Sequence, residues 1–111
     1  MQKIFMDSIL NKLEKILEER KSASSDQSYV SSLYSKGISS ILEKISEESE
    51  EVINAVNEEG RKEVIHEVAD LWFHLLVLLR HENIQIEEIE AELARRFGVS
   101  GHDEKASRKN S

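Results

Sequence analysis

Along the first twenty residues the apolar positions Phe5, Ile9, Leu10, Leu13, Ile16 and Leu17 recur at spacings of three and four, the period of one face of an α-helix. An amphipathic helix over about residues 5–20 follows. Residues 21–28 are polar and rich in serine, a loop composition. Residues 29–35 carry a shorter helical pattern, ended by Gly37 after Lys36 in the position of a C-terminal cap. Ile38, Ile41, Ile45, Val52, Ile53 and Val56 then extend a longer helix to about Asn57, and residues 57–60 supply a turn. So short a connection makes the next helix an antiparallel neighbour.

That next helix is predicted over residues 62–81. After Asp70 its apolar residues go all the way round: Leu71, Trp72, Phe73, Leu75, Leu76, Val77, Leu78 and Leu79. A helix of this kind must be buried on most sides, and Trp72 is expected in the core. A chain of 111 residues has few helices to surround it, so a second copy is expected to cover part of its surface. Ile86, Ile89, Leu93, Ala94 and Phe97 form a last helix with Glu87, Glu88, Glu90 and Glu92 outside, and beyond Gly98 the chain turns polar. The absence of proline, the four glycines and the 5% aromatic content leave little material for strands and hairpins. The expected architecture is all-α, an antiparallel bundle of about four to five helices whose core is completed by homodimerisation. Residues 1–99 would form the domain and residues 100–111 a polar, basic tail, disordered by composition alone.

With no cysteine in the chain, any metal is a hard cation held by oxygen or imidazole. The longest unbroken apolar run, Leu75 to Leu79, is far too short to span a bilayer. Neither secretion nor membrane insertion is expected, and the cytoplasm is the natural compartment. The formal net charge of −7 disfavours nucleic acid and other polyanions as partners. Arg95, Arg96, Lys105, Arg108 and Lys109 gather towards the C-terminus, either as a solvated tail or to serve a phosphate.

Five acids depart from the amphipathic pattern: Glu47, Glu48 and Glu51 on one predicted helix, Glu67 and Asp70 on the next. At about 100° per residue, Glu48 lies within roughly 60° of Ile41, Ile45 and Val52, inside the stripe that packs on a partner helix. Glu48 and Glu51 share one face, Glu67 and Asp70 another, and the intervening turn folds the two faces together. Four carboxylates in a half-buried cleft repel one another and lose hydration unless a divalent cation compensates. Mg²⁺ suits an incomplete carboxylate cage, because it keeps waters and binds substrate phosphates. It would neutralise a phosphoanhydride and acidify an attacking water. Glu47, about 100° round the helix from Glu48, could serve as general base or support a ligand from behind. The competing reading has Lys44, Arg61 or Lys62 neutralising these acids in ordinary surface ion pairs. His66 and His74, four residues before and after Asp70, are expected to make structural hydrogen bonds rather than to ligate metal.

The pattern Glu-Glu-x-x-Glu followed by Glu-x-x-Asp resembles the signature of the all-α nucleotide pyrophosphohydrolases, the MazG-like superfamily that includes dimeric dUTPases. Within it the chain resembles the phosphoribosyl-ATP pyrophosphohydrolase family over roughly residues 9–108. The resemblance rests also on Ser28-Tyr29-Val30 with Leu33, on Lys36-Gly37, on the run from Ala69 to Leu79, and on Ser100-Gly101 followed by Glu104-Lys105-Ala106-Ser107-Arg108. It implies hydrolysis of phosphoribosyl-ATP at the α–β phosphoanhydride to phosphoribosyl-AMP and pyrophosphate, the second step of histidine biosynthesis. By the same resemblance Mg²⁺ would sit on Glu48, Glu51, Glu67 and Asp70, with Glu47 and Glu48 catalytic, in a cytoplasmic homodimer. Lys36, Lys44, Ser100, Gly101, Lys105, Ser107 and Arg108 would meet the substrate, the tail closing over it. The chain departs from the family where Glu43-Lys44-Ile45-Ser46 stands in place of Lys-Lys-Val-Gly, with one cation fewer before the acids. Two rival readings are a house-cleaning nucleoside triphosphate pyrophosphohydrolase, which has no need of the C-terminal segment, and a non-catalytic helical dimerisation module.

Overall fold

A computed structural model describes residues 2–24, 26 and 28–97, with the side chains of residues 2–8 outside the description. Five helices follow one another: α1 (Gln2–Lys21), α2 (Tyr29–Lys36), α3 (Ile38–Glu58), α4 (Arg61–His81) and α5 (Ile86–Arg95). No strand occurs among the described residues. None of their helices is long and apolar enough to cross a membrane.

The starts and stops have local causes. Ser28 caps α2: its Oγ accepts from the Ser31 N–H at 3.0 Å. Ser31, itself buried, donates its hydroxyl to the Arg20 carbonyl at 3.1 Å, which ties α2 to the end of α1. Gly37 divides α2 from α3 at φ +99°, a conformation that disfavours any side chain, and its N–H closes the last turn of α2 on the Leu33 carbonyl. Asn83 performs the same duty after α4 in the left-handed region, φ 59°. The following Ile84 N–H reaches back to the Leu79 carbonyl at 2.8 Å, the long bond of a helix terminus with a left-handed cap.

The antiparallel pair α3 and α4 is the spine of the molecule, joined by residues 59 and 60. α1 and α2 cover one end of it, and Leu17, Val30, Leu33, Ile41, Leu76, Val77 and Ile86 make the core. A buried ionic knot fixes the far end of α4. Arg80 is 5% exposed and pairs with Glu14 at 3.2 Å and Glu18 at 3.0 Å; it also donates to the Ile84 carbonyl. Glu14 in turn accepts the Ile86 N–H at 3.0 Å, so one carboxylate of α1 holds both α4 and the first turn of α5.

The Trp72 expectation is corrected in the single chain. The ring is 49% exposed, because Trp72 shares a stripe with Ile65, Val68 and Leu75 on nearly the opposite side of α4 from Asp70, His74 and Val77. The side of α4 that meets α3 is the acidic and histidine-bearing one.

Candidate functional site

Glu48 is 6% exposed, where its place among Ile41, Ile45 and Val52 puts it. Its Oε2 is buried with no hydrogen-bond partner, and so is Oε1 of Glu67 across on α4. Such atoms cost free energy unless something binds them. Ligand atoms of Glu48, Glu51 and Glu67 lie within 4.8 Å of one another, as do those of His66, Glu67 and Asp70. The two groups share Glu67. Helical spacing explains both: residues three or four apart stand one above the other on a face, and the short α3–α4 connection brings the faces together.

The electrostatics are those of crowded acids. Burial pushes the Glu48 carboxyl above its ordinary value, and the charges of Glu51 and Asp70 push the same way while His74 and Lys44 oppose them. Glu67 is raised too, first by loss of hydration and then by the neighbouring Glu51 carboxyl, with which it can share a proton. A divalent cation among these oxygens would offset the burial and the mutual repulsion by favouring the ionised carboxylates. The donor set, carboxylates with one imidazole at the rim, suits a hard cation of that kind.

Lys44 is the cation at the edge of the cluster. Its Nζ is 3.2 Å from Glu47 Oε1 and 3.8 Å from Glu48 Oε1, and the Glu47 carboxylate holds its pKa above the usual lysine range. The expected alternative of neutralising ion pairs is met here in part. Neither Arg61 nor Lys62 pairs with any of the five acids among the described residues. Glu47 is exposed and belongs to neither carboxylate group. Lys36 stands exposed at the end of α2. Ser100, Gly101, Lys105, Ser107 and Arg108 lie outside the described residues.

The two histidines differ. His74 is 5% exposed and fully engaged, Nδ1 on the Asp70 backbone carbonyl at 2.8 Å and Nε2 on the Tyr29 hydroxyl at 2.8 Å; it is structural, as its spacing suggested. His66 is exposed, with Nε2 3.4 Å from Asp70 Oδ2, so one of its ring nitrogens is at the mouth of the carboxylate cluster. Sequence reasoning passed over Tyr29 as a site residue. The signal was its place directly after the loop of residues 21–28, at the head of a helix, in the Ser28-Tyr29-Val30 motif shared with a known family.

The chain matches the family model for phosphoribosyl-ATP pyrophosphohydrolase over residues 10–97. It is 62% identical over 105 residues to the phosphoribosyl-ATP pyrophosphatase of Vesicomyosocius okutanii, covering 95% of this chain and 100% of that one. Identity is 58% over 105 residues to the protein of the same name from Ruthia magnifica, with the same coverage. With that of Geobacter metallireducens it is 53% over 102 residues, 92% of this chain and 94% of the other. The match spans the capped α2, the two acidic helices and the buried ionic knot together, and the chain belongs to the phosphoribosyl-ATP pyrophosphohydrolase family.

Proposed function

We propose that this protein hydrolyses phosphoribosyl-ATP to phosphoribosyl-AMP and pyrophosphate, the second step of histidine biosynthesis, with Mg²⁺ held by Glu48, Glu51, Glu67 and Asp70. The observation that carries the metal is the pair of buried, partnerless carboxylate oxygens on Glu48 and Glu67, two residues that with Glu51 can bring ligand atoms within 4.8 Å of one another. The substrate follows from family membership along nearly the whole chain. When bound, the metal neutralises the phosphoanhydride oxygens and makes a water acidic enough to attack near neutral pH.

The protein's own groups do the rest. The four carboxylates fix where the cation and phosphates sit, and two helices hold them in place before substrate arrives. Lys44, at the rim, offers its ammonium to a non-bridging phosphate oxygen, where it stabilises charge that grows during P–O cleavage. Glu47, exposed beside Lys44, would accept a proton from the water. Lys36 and the tail residues Ser100, Gly101, Lys105, Ser107 and Arg108 complete the grip on the nucleotide, and the enzyme works in the cytoplasm as a homodimer.

Pyrophosphate release from phosphoribosyl-ATP, with and without Mg²⁺ and beside ATP and dUTP, tests this reading. Metal-dependent turnover confined to phosphoribosyl-ATP is the expected result. Turnover of the ordinary nucleotides in its place would make the protein a house-cleaning enzyme and overturn the substrate assignment.

A further inference from the structure

His66 and His74 flank Asp70 on α4, and they differ in what their ring nitrogens do. His74 uses both: Nδ1 on the Asp70 carbonyl and Nε2 on the Tyr29 hydroxyl, each at 2.8 Å. The His66 side chain is 71% exposed, with Nε2 3.4 Å from Asp70 Oδ2. That is longer than the about 2.7–3.2 Å of a sound N–H···O bond, a poor fit to the structural hydrogen bond that the i, i+4 spacing suggests.

Two ligands on one cation stand at a separation set by its geometry. With bonds of about 2.1 Å, donors around a tetrahedral Zn²⁺ are about 3.4 Å apart, whereas neighbouring oxygens around an octahedral Mg²⁺ are about 2.9 Å apart. The His66–Asp70 distance is the tetrahedral one. Glu67 completes a trio whose ligand atoms lie within 4.8 Å of one another. Three protein ligands with one position left open is how a zinc site that admits a water or a substrate oxygen is built. Imidazole suits Zn²⁺, while carboxylates alone suit Mg²⁺. The trio therefore differs in kind from Glu48, Glu51 and Glu67, which offer oxygen only.

Acids and a histidine on an exposed helix face make no site by themselves; the second observation is burial. Oε1 of Glu67 is shut away from water without a hydrogen-bond partner, and so is Oε2 of Glu48, a residue only 6% exposed. Glu48 can bring a ligand atom within 4.8 Å of one from Glu67, and a carboxylate has two oxygens, so Glu67 can serve a cation on either side.

We propose that His66, Glu67 and Asp70 form a second cation position beside the magnesium one, taking an imidazole-binding divalent ion of the Zn²⁺ type, with Glu67 shared between the two. It rests on the magnesium reading only in that the positions have Glu67 and Asp70 in common.

Calorimetry on the full chain without substrate, at a pH where imidazole is neutral, tests it. His66→Gln keeps an exposed helical position filled and removes the nitrogen ligand. Zn²⁺ affinity should fall at least about tenfold, since even the groups that stand behind a ligand are worth about 10–100-fold, while Mg²⁺ affinity is retained. His81→Gln, at the histidine paired with Glu82 at the end of α4, should leave this binding event intact. In imidazole nitrogen NMR spectra, Zn²⁺ should move the His66 Nε2 signal and Mg²⁺ should not. A Zn²⁺ affinity indifferent to His66→Gln, an Nε2 signal that stays in place, or an equal loss of both metals would overturn the proposal. A chain that binds Zn²⁺ through His66 yet is silent on phosphoribosyl-ATP would overturn the substrate reading and leave this site standing, and Mg²⁺-dependent turnover without any zinc effect at His66 would do the reverse.

Discussion

Glu48 carries the heaviest demand of any single residue. A carboxylate 6% exposed, with one oxygen unpartnered and two acids pressing on it, is a cost to the fold that a bound cation removes. Glu48→Gln keeps the shape and removes the charge. Turnover should drop by at least about a hundredfold, the scale of losing one electrostatic group in a dry site. The melting temperature without metal should hold or rise, and the rise that Mg²⁺ induces should shrink, since a ligand stabilises only by binding the folded state. Glu87→Gln, on the exposed face of α5, is the control that should change neither. Equal activity in the two variants would sink the site assignment; steady-state assays and thermal melts with and without Mg²⁺ decide it. Glu48 was legible in the sequence because a charge inside an apolar stripe breaks a pattern. Tyr29 was not, because its partner His74 is 45 residues away, and no periodicity within one helix reveals which side chain of another will reach it. His66 is read from its spacing as a structural partner of Asp70, and that spacing alone does not separate the two roles, because four residues from Asp70 is both ordinary helix geometry and the rim of the carboxylate cluster.

Helix by helix, the apolar period located all five elements, and Gly37 marked one boundary by a conformation that glycine adopts at least cost. The end of α4 was harder to read, since Asn83 caps it where a glycine would have announced itself. The sequence also concealed what locks that end, the knot of the buried Arg80 with Glu14 and Glu18, because a basic residue in the last turn of a helix ordinarily reads as a solvated cation at the negative end of the helix dipole. Arg80→Met should cost about 1–3 kcal/mol, the penalty for leaving the largely buried Glu14 carboxylate and the Ile84 carbonyl without their donor while the half-exposed Glu18 rehydrates, seen as a lower urea midpoint at an unchanged slope. A loss below 1 kcal/mol would mean that the knot is dispensable. A second contact between elements sets a pH limit. Tyr34 of α2 donates its hydroxyl to the Val77 carbonyl of α4 at 3.2 Å, and burial, helped by the Glu18 charge, pushes its pKa from 10.0 up to about 12. The fold holds this proton while the unfolded chain gives it up. The contribution is therefore complete below pH 10 and declines as the pH climbs through 10 towards 12. Tyr34→Phe should lose about 1 kcal/mol at neutral pH for the missing hydrogen bond, and its deficit against the wild type should narrow across that alkaline window. A constant deficit from pH 8 to 12 in urea titrations would contradict the assignment.

At the scale of the whole molecule, α4 has two faces with opposite needs. Towards α3 it brings Glu67, Asp70 and His74 into the cluster. Away from α3 it leaves Ile65 59%, Trp72 49% and Leu75 39% exposed, continued by Leu93 of α5 at 52%. Trp72 joins two apolar hollows, one of about 260 Å³ bounded also by Leu10, Leu76 and Ile89, the other of about 300 Å³ bounded by Val64, Ile65 and Val68. The all-round apolar run after Asp70 foretold this surplus, because the five described helices, one of only eight residues, are too few to cover every side of α4. Several large apolar side chains exposed together on one face mark an interaction surface, and a two-fold pairing of α4 with its copy would bury Trp72 against a second Trp72 region. The wild type should then migrate in light-scattering chromatography with the mass of two 12.8 kDa chains and show blue-shifted tryptophan emission. Trp72→Glu places a charge at the centre of that contact and should yield a single-chain species. If the wild type is already a single chain with red-shifted emission, the apolar face of α4 has some other cover, and the carboxylate cluster on its opposite side must be rigid without a partner's support.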